Sequence, residues 1–124
     1  MLVGKKKRAV ARVILSRGNG VFWVNNKDIK DYFSKENDRI VSRETLSILS
    51  ISKVFNVRSF VKGGGLSSQA YAIRSALCKG IQENYIRSRF ILKPLKYLRR
   101  DCKIKERKKT GKPKARKSFQ FSKR

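Results

Sequence analysis

The stretch RAVARVIL, residues 8–15, alternates strictly between two faces. Ala9, Ala11, Val13 and Leu15 fall on one side, and Arg8, Val10, Arg12 and Ile14 on the other. A period of two predicts a strand with one covered face. Gly18-Asn19-Gly20 signals a turn, and VFWV (21–24) predicts a second strand, so the pair is expected to form a hairpin. Phe22, Trp23, Tyr32 and Phe33 read first as core rather than base-stacking residues, and because alternation puts Phe22 and Trp23 on opposite faces, one of these two could face a partner. Asn25-Asn26 predicts another turn, and Asp28 suits the cap of a short helix through Phe33. In IVSRETLSIL (40–49), positions 41, 45, 48 and 49 predict a helix, with Thr45 counted as half-apolar. KVFNVRSFVK (53–62) alternates again, with Phe55, Val57 and Val61 on one face, and predicts a strand. GGGL (63–66) breaks it. The stripe Leu66, Ala70, Ile73, Leu77 and Ile81 then predicts a helix to about Glu83. Ser67 suits its N-cap, with Leu66 and Tyr71 at the spacing of a hydrophobic staple. A shorter helix is expected over 86–93, ended by Pro94.

The pattern fades near residue 98. Residues 1–98 carry 20 basic and 6 acidic side chains, whereas 99–124 carry 13 and 2 with almost no apolar periodicity. The expected organisation is a small globular α/β domain of the α+β type over 1–98 and a basic tail over 99–124. The tail is expected to take shape only on a partner. Fully extended, its residues reach roughly 85 Å, several times the radius of such a domain. That length suits threading through a large folded RNA. Lys and Arg would neutralise phosphates, Gly111 and Pro113 would set bends, and Phe119 and Phe121 would pack on sugars or bases.

Charge sharpens this picture. The chain of 124 residues has 33 basic against 8 acidic side chains, a net charge of +25. Self-repulsion of that size is relieved by a polyanion, with nucleic acid first and an anionic membrane surface second. No stretch approaches the roughly 18 apolar residues of a membrane span. The opening MLVGKKKRAV has neither the pattern of a secretory signal nor that of an amphipathic presequence. Histidine is absent, which removes the commonest general base and most zinc arrangements. Cys78 and Cys102 form no CxxC pair and read as two reduced thiols.

Two segments of the domain carry candidate chemistry. The basic run Lys5, Lys6, Lys7 and Arg8, with Arg12 beyond it, reads as an arm on a phosphate backbone as it enters the first strand. The loop Gly63-Gly64-Gly65 before a helix lets backbone N–H groups approach a phosphate. Three readings of this loop stay open: a phosphate contact to RNA, a purely structural turn needing positive φ, and the nucleotide loop of a small-molecule kinase. Against the kinase stand the missing GxxxxGK[ST] motif and the small size of the domain.

The ending CKIKERKKTGKPKARKSFQFSKR, together with GKKKRAVARVIL, VNNKDIKDYF (24–33) and VFNVRSFVKGGGLSSQAYAIRSAL (54–77), closely resembles the universal ninth protein of the small ribosomal subunit. The resemblance covers nearly the whole chain, and its QFSKR ending is of the bacterial and organellar type. It implies a two-layer domain with a mostly antiparallel sheet packed by helices and a left-handed βαβ crossover. It also implies a structural, non-enzymatic role without cofactors. The domain would sit on ribosomal RNA in the subunit head beside other head proteins. The tail would reach the peptidyl site, where Lys123 and Arg124 would touch the anticodon stem-loop of transfer RNA. Arg107, Lys108, Lys109, Lys112, Lys114, Arg116 and Lys117 would face ribosomal RNA. Neither a membrane nor a second copy of the chain is expected as partner. The chain departs from the family at Asn84-Tyr85, where Asp-Pro is usual, near Lys96, where Gly is usual, and at Thr110, where Tyr is usual. Divergence over 84–98, with abundant Lys, Ile, Asn and Ser, suggests an AT-rich genome. The expected site is an organelle matrix, a mitochondrion before a plastid, with the bacterial cytoplasm as the alternative.

Overall fold

A computed structural model describes residues 1–122. Five strands form one sheet in the order β1-β2-β5-β3-β4. They are β1 (Leu2–Lys6), β2 (Ala9–Arg17), β3 (Phe22–Val24), β4 (Lys27–Asp28) and β5 (Phe55–Lys62). All neighbours are antiparallel except β3 and β5, which run parallel. The helices are α1 (Ile29–Tyr32), α2 (Glu36–Ile48), α3 (Leu66–Asn84) and α4 (Ser88–Leu92). Helix α3 lies on β1 and β2, and α2 packs on α3. The core is therefore one layer deep. Ala9, Ala11, Val13, Val57 and Val61 from the sheet meet Ala70, Ala72, Ile73, Ala76 and Leu77 from α3. Small residues let α3 come close to the sheet: a Cβ at Gly4 would stand 2.0 Å from the Ala72 carbonyl oxygen.

The periodicity of 8–15 and 53–62 matches β2 and β5, and the long stripe matches α3. Asp28 caps α1 by accepting from the Lys30 N–H. Asn25 and Asn26 both adopt positive φ, 49° and 64°, as a two-residue hairpin turn between β3 and β4 requires.

Five local expectations need correction. The 8–15 and 21–24 strands do not form a hairpin, because β5 lies between β2 and β3. The Asn56 side-chain oxygen accepts from the backbone N–H groups of Asn19, Gly20 and Val21 at 2.9, 3.0 and 3.0 Å. The turn is thereby wrapped over the start of β5 instead of folding back along β2. The basic run is not a loose arm, since its first half is the edge strand β1, with Lys6 opposite Ala9. Ser67 does not cap α3: Gly65 is the capping residue and makes no side-chain cap bond. Ser67 instead donates to the buried Asp38 carboxylate on α2 at 3.1 Å. Leu66 and Tyr71 are both exposed, so no staple forms. In α2, Ser42, Thr45 and Leu46 are buried while Ile48 is exposed, a face rotated from the one that apolar residues alone indicate. Polar groups line that face because they find partners there: Ser42 donates to the Arg39 carbonyl, and Thr45 meets the Cys78 sulfur at 3.1 Å.

Candidate nucleic-acid interface

The β1–β2 turn and the triglycine loop come from distant parts of the sequence, yet they abut. Strand β5 runs antiparallel to β2, so its end delivers Gly63 beside the start of β2. Gly63 and Gly64 have φ of 73° and 68°. A Cβ on Gly63 would stand 2.6 Å from the Arg8 carbonyl oxygen, and one on Gly64 3.0 Å from the Ala9 Cβ. These two glycines therefore answer to geometry: a left-handed backbone against a neighbouring chain. Gly65 differs, with φ −100° and nothing within 4 Å of a Cβ. The loop is held from behind. Gln69 donates to the Gly63 carbonyl at 3.2 Å and accepts from the Tyr32 hydroxyl at 2.7 Å. The Asn25 amide in turn reaches both Tyr32 and the backbone of Val61.

Around this fixed loop stand the cations. Lys7 and Arg8 form the exposed turn, with Lys7 at φ 50°. Lys5 and Arg12 are exposed on the uncovered face of the sheet. Lys6 is half-buried and donates to Asp101 at 2.8 Å. That bond holds the Asp101 carboxyl below its usual range, together with the Lys103 N–H. The first turn of α3 carries no acid to oppose an anion. An exposed glycine loop, a cationic turn and the start of α3, where the Asp38 carboxylate of α2 accepts from Ser67, thus share one end of the domain.

Residues 99–109 have no regular structure, and a turn at Thr110-Gly111 follows, with Gly111 at φ 73°. The turn brings Glu106 opposite Arg116, whose Nε donates to one carboxylate oxygen at 2.9 Å. Arg116 thereby keeps Glu106 ionised below the usual range. Arg107, Lys108, Lys109, Lys114 and Lys117 are exposed, and Lys112 is half-buried. Phe119 and Phe121 are exposed too. Lys123 and Arg124, the residues expected at transfer RNA, lie outside the described residues.

Among the described residues, no group of three or more Cys, Asp or Glu side chains is placed to hold a metal ion. No helix there is long and apolar enough to cross a membrane. Sequence reasoning missed Asn56 and the Asn25–Tyr32–Gln69 chain, which fix the loops. Asn56 falls in the ordinary polar phase of its strand, beside Arg58 and Lys62, so the pattern gave no signal for it.

A cationic α+β domain, with glycine loop, basic turn and basic C-terminal segment at the surface, defines an anion-binding protein of the nucleic-acid class. The family described as Ribosomal protein S9/S16 matches residues 4–124. The chain belongs to that family and is a ribosomal protein, not an enzyme. It is similar to the small ribosomal subunit protein uS9 of Sorangium cellulosum (strain So ce56), at 46% identity over 121 residues, covering 98% of this chain and 93% of the relative. The kinase reading of the glycine loop falls with this result.

Proposed function

We propose that this chain is a structural protein of the small ribosomal subunit, that it binds ribosomal RNA in the subunit head, and that its C-terminal tip reaches the anticodon stem-loop of peptidyl-site transfer RNA. Membership of the ribosomal family across residues 4–124 carries the first part. The relative's name supplies the small subunit. The convergence of Lys7, Arg8 and the triglycine loop supports an RNA contact at that end of the domain.

In this reading the chain divides near residue 98. Lys5, Lys6, Lys7, Arg8, Arg12 and the backbone of Gly63, Gly64 and Gly65 serve ribosomal RNA from the domain. Arg107, Lys108, Lys109, Lys112, Lys114, Arg116 and Lys117 serve it from the tail. RNA phosphates replace Glu106 as the partner of Arg116 and open the turn at Gly111. Lys123 and Arg124 carry the transfer RNA contact. The crossover from β3 through α1 and α2 to β5 takes the left hand, against the common rule. Neighbouring head proteins complete the site, and the ribosome belongs to an organelle, with a bacterial cytoplasm as the alternative.

The test has two arms on reconstituted small subunits. Deleting 122–124 should lower peptidyl-site transfer RNA affinity by at most about a hundredfold, the upper worth of one charge-assisted contact, and leave assembly intact. Deleting 99–124 should lower ribosomal RNA affinity and flatten its salt dependence. Unchanged transfer RNA binding in the first arm removes the decoding-site role alone. A full-length chain that fails to incorporate into small subunits removes the whole reading.

A further inference from the structure

The helices cover one face of the sheet and leave the other open. Strand register arranges the open face in rows. Val3, Arg12 and Phe60 lie side by side across β1, β2 and β5. Ile14, Arg58 and Trp23 form the next row across β2, β5 and β3. Lys5, Val10 and Lys62 form a third. Trp23, Phe60, Ile14 and Val3 are each about two-fifths exposed, high for large apolar side chains on a sheet. Among the described residues, Asp28 is the one acid at these strand positions, opposite Trp23 on the edge strand, and its carboxylate is engaged in capping α1. Ile14, Val21, Trp23, Asn56 and Arg58 line an open depression of about 490 Å³, in the range of small-ligand sites. The Arg58 guanidinium lies 6.0 Å from the Trp23 ring centroid.

Resting on the ribosomal RNA reading above, we infer that this open sheet face is a second RNA-binding surface, on which Trp23 stacks an unpaired nucleobase while Arg58, Arg12 and Lys62 take the flanking phosphates. Alternating aromatic and cationic positions without a competing carboxylate match the two parts of a single-stranded nucleotide, an apolar ring and an anionic link. Exposed aromatics on an open sheet are a general means of holding splayed-out bases. A protein partner would want a carboxylate to answer Arg12 and Lys62, whereas an RNA strand brings a charge with every nucleotide. The surface adjoins the triglycine end, because Lys62 leads directly into Gly63, so one RNA strand can run from that loop onto the sheet.

Trp23 is the only tryptophan, so its fluorescence reports on this face alone. The full chain is titrated with single-stranded oligouridylate and, separately, with inorganic polyphosphate of equal charge. Oligouridylate should quench Trp23 strongly and polyphosphate should not. Trp23→Ala should weaken oligouridylate binding about tenfold, and Trp23→Phe should restore most of it, in line with the worth of one stacked base. Equal response to both polyanions, or an unchanged affinity in Trp23→Ala, would overturn the inference. A photoreactive side chain at Phe60 in assembled subunits provides the second measurement. Adducts on RNA support the surface, while adducts on protein alone overturn it in favour of a protein neighbour. A chain that enters subunits but shows no base-dependent quenching loses this surface only, whereas failure to enter subunits defeats the underlying function.

Discussion

Lys6 donates to Asp101 at 2.8 Å, so the edge strand of the sheet is tied to the root of the C-terminal segment. One of the few acids of the chain is thus spent on a lysine expected to meet RNA. The pair is solvent-exposed on the Asp101 side. Its contribution is therefore directional, setting where residues 99–122 depart, and adds little to stability.

Breaking that pair should change RNA binding more than folding. With Asp101→Asn, the thermal midpoint is expected to stay within about 1 °C of the wild type, since exposed pairs contribute little. Lys6 then becomes available to a phosphate. The plot of log affinity for ribosomal RNA against log salt should steepen by about 0.7–0.9. Filter binding across a salt series measures this, and an unchanged slope means that Lys6 meets no phosphate.

The three glycines should separate under substitution. Gly63→Ala forces a Cβ toward the Arg8 carbonyl at φ 73° and should cost about 1–3 kcal/mol in urea denaturation. Gly65→Ala meets open space at an ordinary φ and should change stability by less than about 1 kcal/mol. Its RNA affinity should nonetheless fall severalfold, because a methyl group then stands between the backbone and a phosphate. If Gly65→Ala binds RNA like the wild type, the loop is a structural turn and nothing more.

Asn56 should prove the keystone of the connection from β2 to β3. Asn56→Ala removes one oxygen that serves three backbone donors. Water can reach part of this loop, so the expected loss is about 1–3 kcal/mol. Asn56→Asp keeps the acceptor and should retain most of the stability. Chemical denaturation of the two variants checks the difference, and equal losses would mean that the amide hydrogens, not the oxygen, matter.

These residues also show what the sequence made legible. Period-two runs with small or β-branched residues located β2 and β5, because a covered sheet face leaves that mark whatever the topology. The stripe from Ala70 to Ile81 located α3 for the same reason. Strand order was not legible from the pattern, since a turn signal such as Gly18-Asn19-Gly20 says where the chain bends and not which strand it then joins. A side chain 36 residues away decides that. The buried face of α2 escaped as well, because Ser42 and Thr45 are buried through hydrogen bonds that hydropathy does not register. Among the candidate binding residues, the cationic turn was legible as a charge run, but its meeting with the glycine loop depends on the β2–β5 register.

Lys96 occupies a left-handed conformation, φ 59°, at a place where the family resemblance led us to expect glycine. A side chain there costs about 1–2 kcal/mol. Lys96→Gly relieves that strain but makes the unfolded chain more flexible, which takes back about 0.4–1 kcal/mol. The variant should therefore be more stable by up to about 1 kcal/mol, read as a higher urea midpoint with an unchanged slope. A lower midpoint would mean that the Lys96 side chain makes a compensating contact.

Acid should weaken the fold through Glu44. This carboxylate joins three elements: Arg74 of α3 donates to it at 2.7 Å, and Tyr97, beyond α4, donates at 2.6 Å. The Arg74 guanidinium also lies 4.2 Å from the Tyr97 ring centroid. Burial alone would push the Glu44 carboxyl up, but the Tyr97 and Arg74 hydrogen bonds and the Arg74 charge outweigh it and hold the group below its ordinary value of 4.5. Since the folded form holds its proton more weakly than the unfolded chain, this stabilisation is present above pH 4.5 and is lost as pH falls through the lower folded-state value. Glu44→Gln cannot titrate, so the wild type should exceed it by about 1–2 kcal/mol at pH 7. The gap should close as the medium is acidified below pH 4.5. Tyr97→Phe keeps the ring beneath Arg74 and removes one donor, so its stability should begin to fall at a higher pH than that of the wild type. Urea midpoints of the three chains across an acid series decide the matter. A gap between wild type and Glu44→Gln that stays constant with pH would show that Glu44 acts by packing and not by its charge.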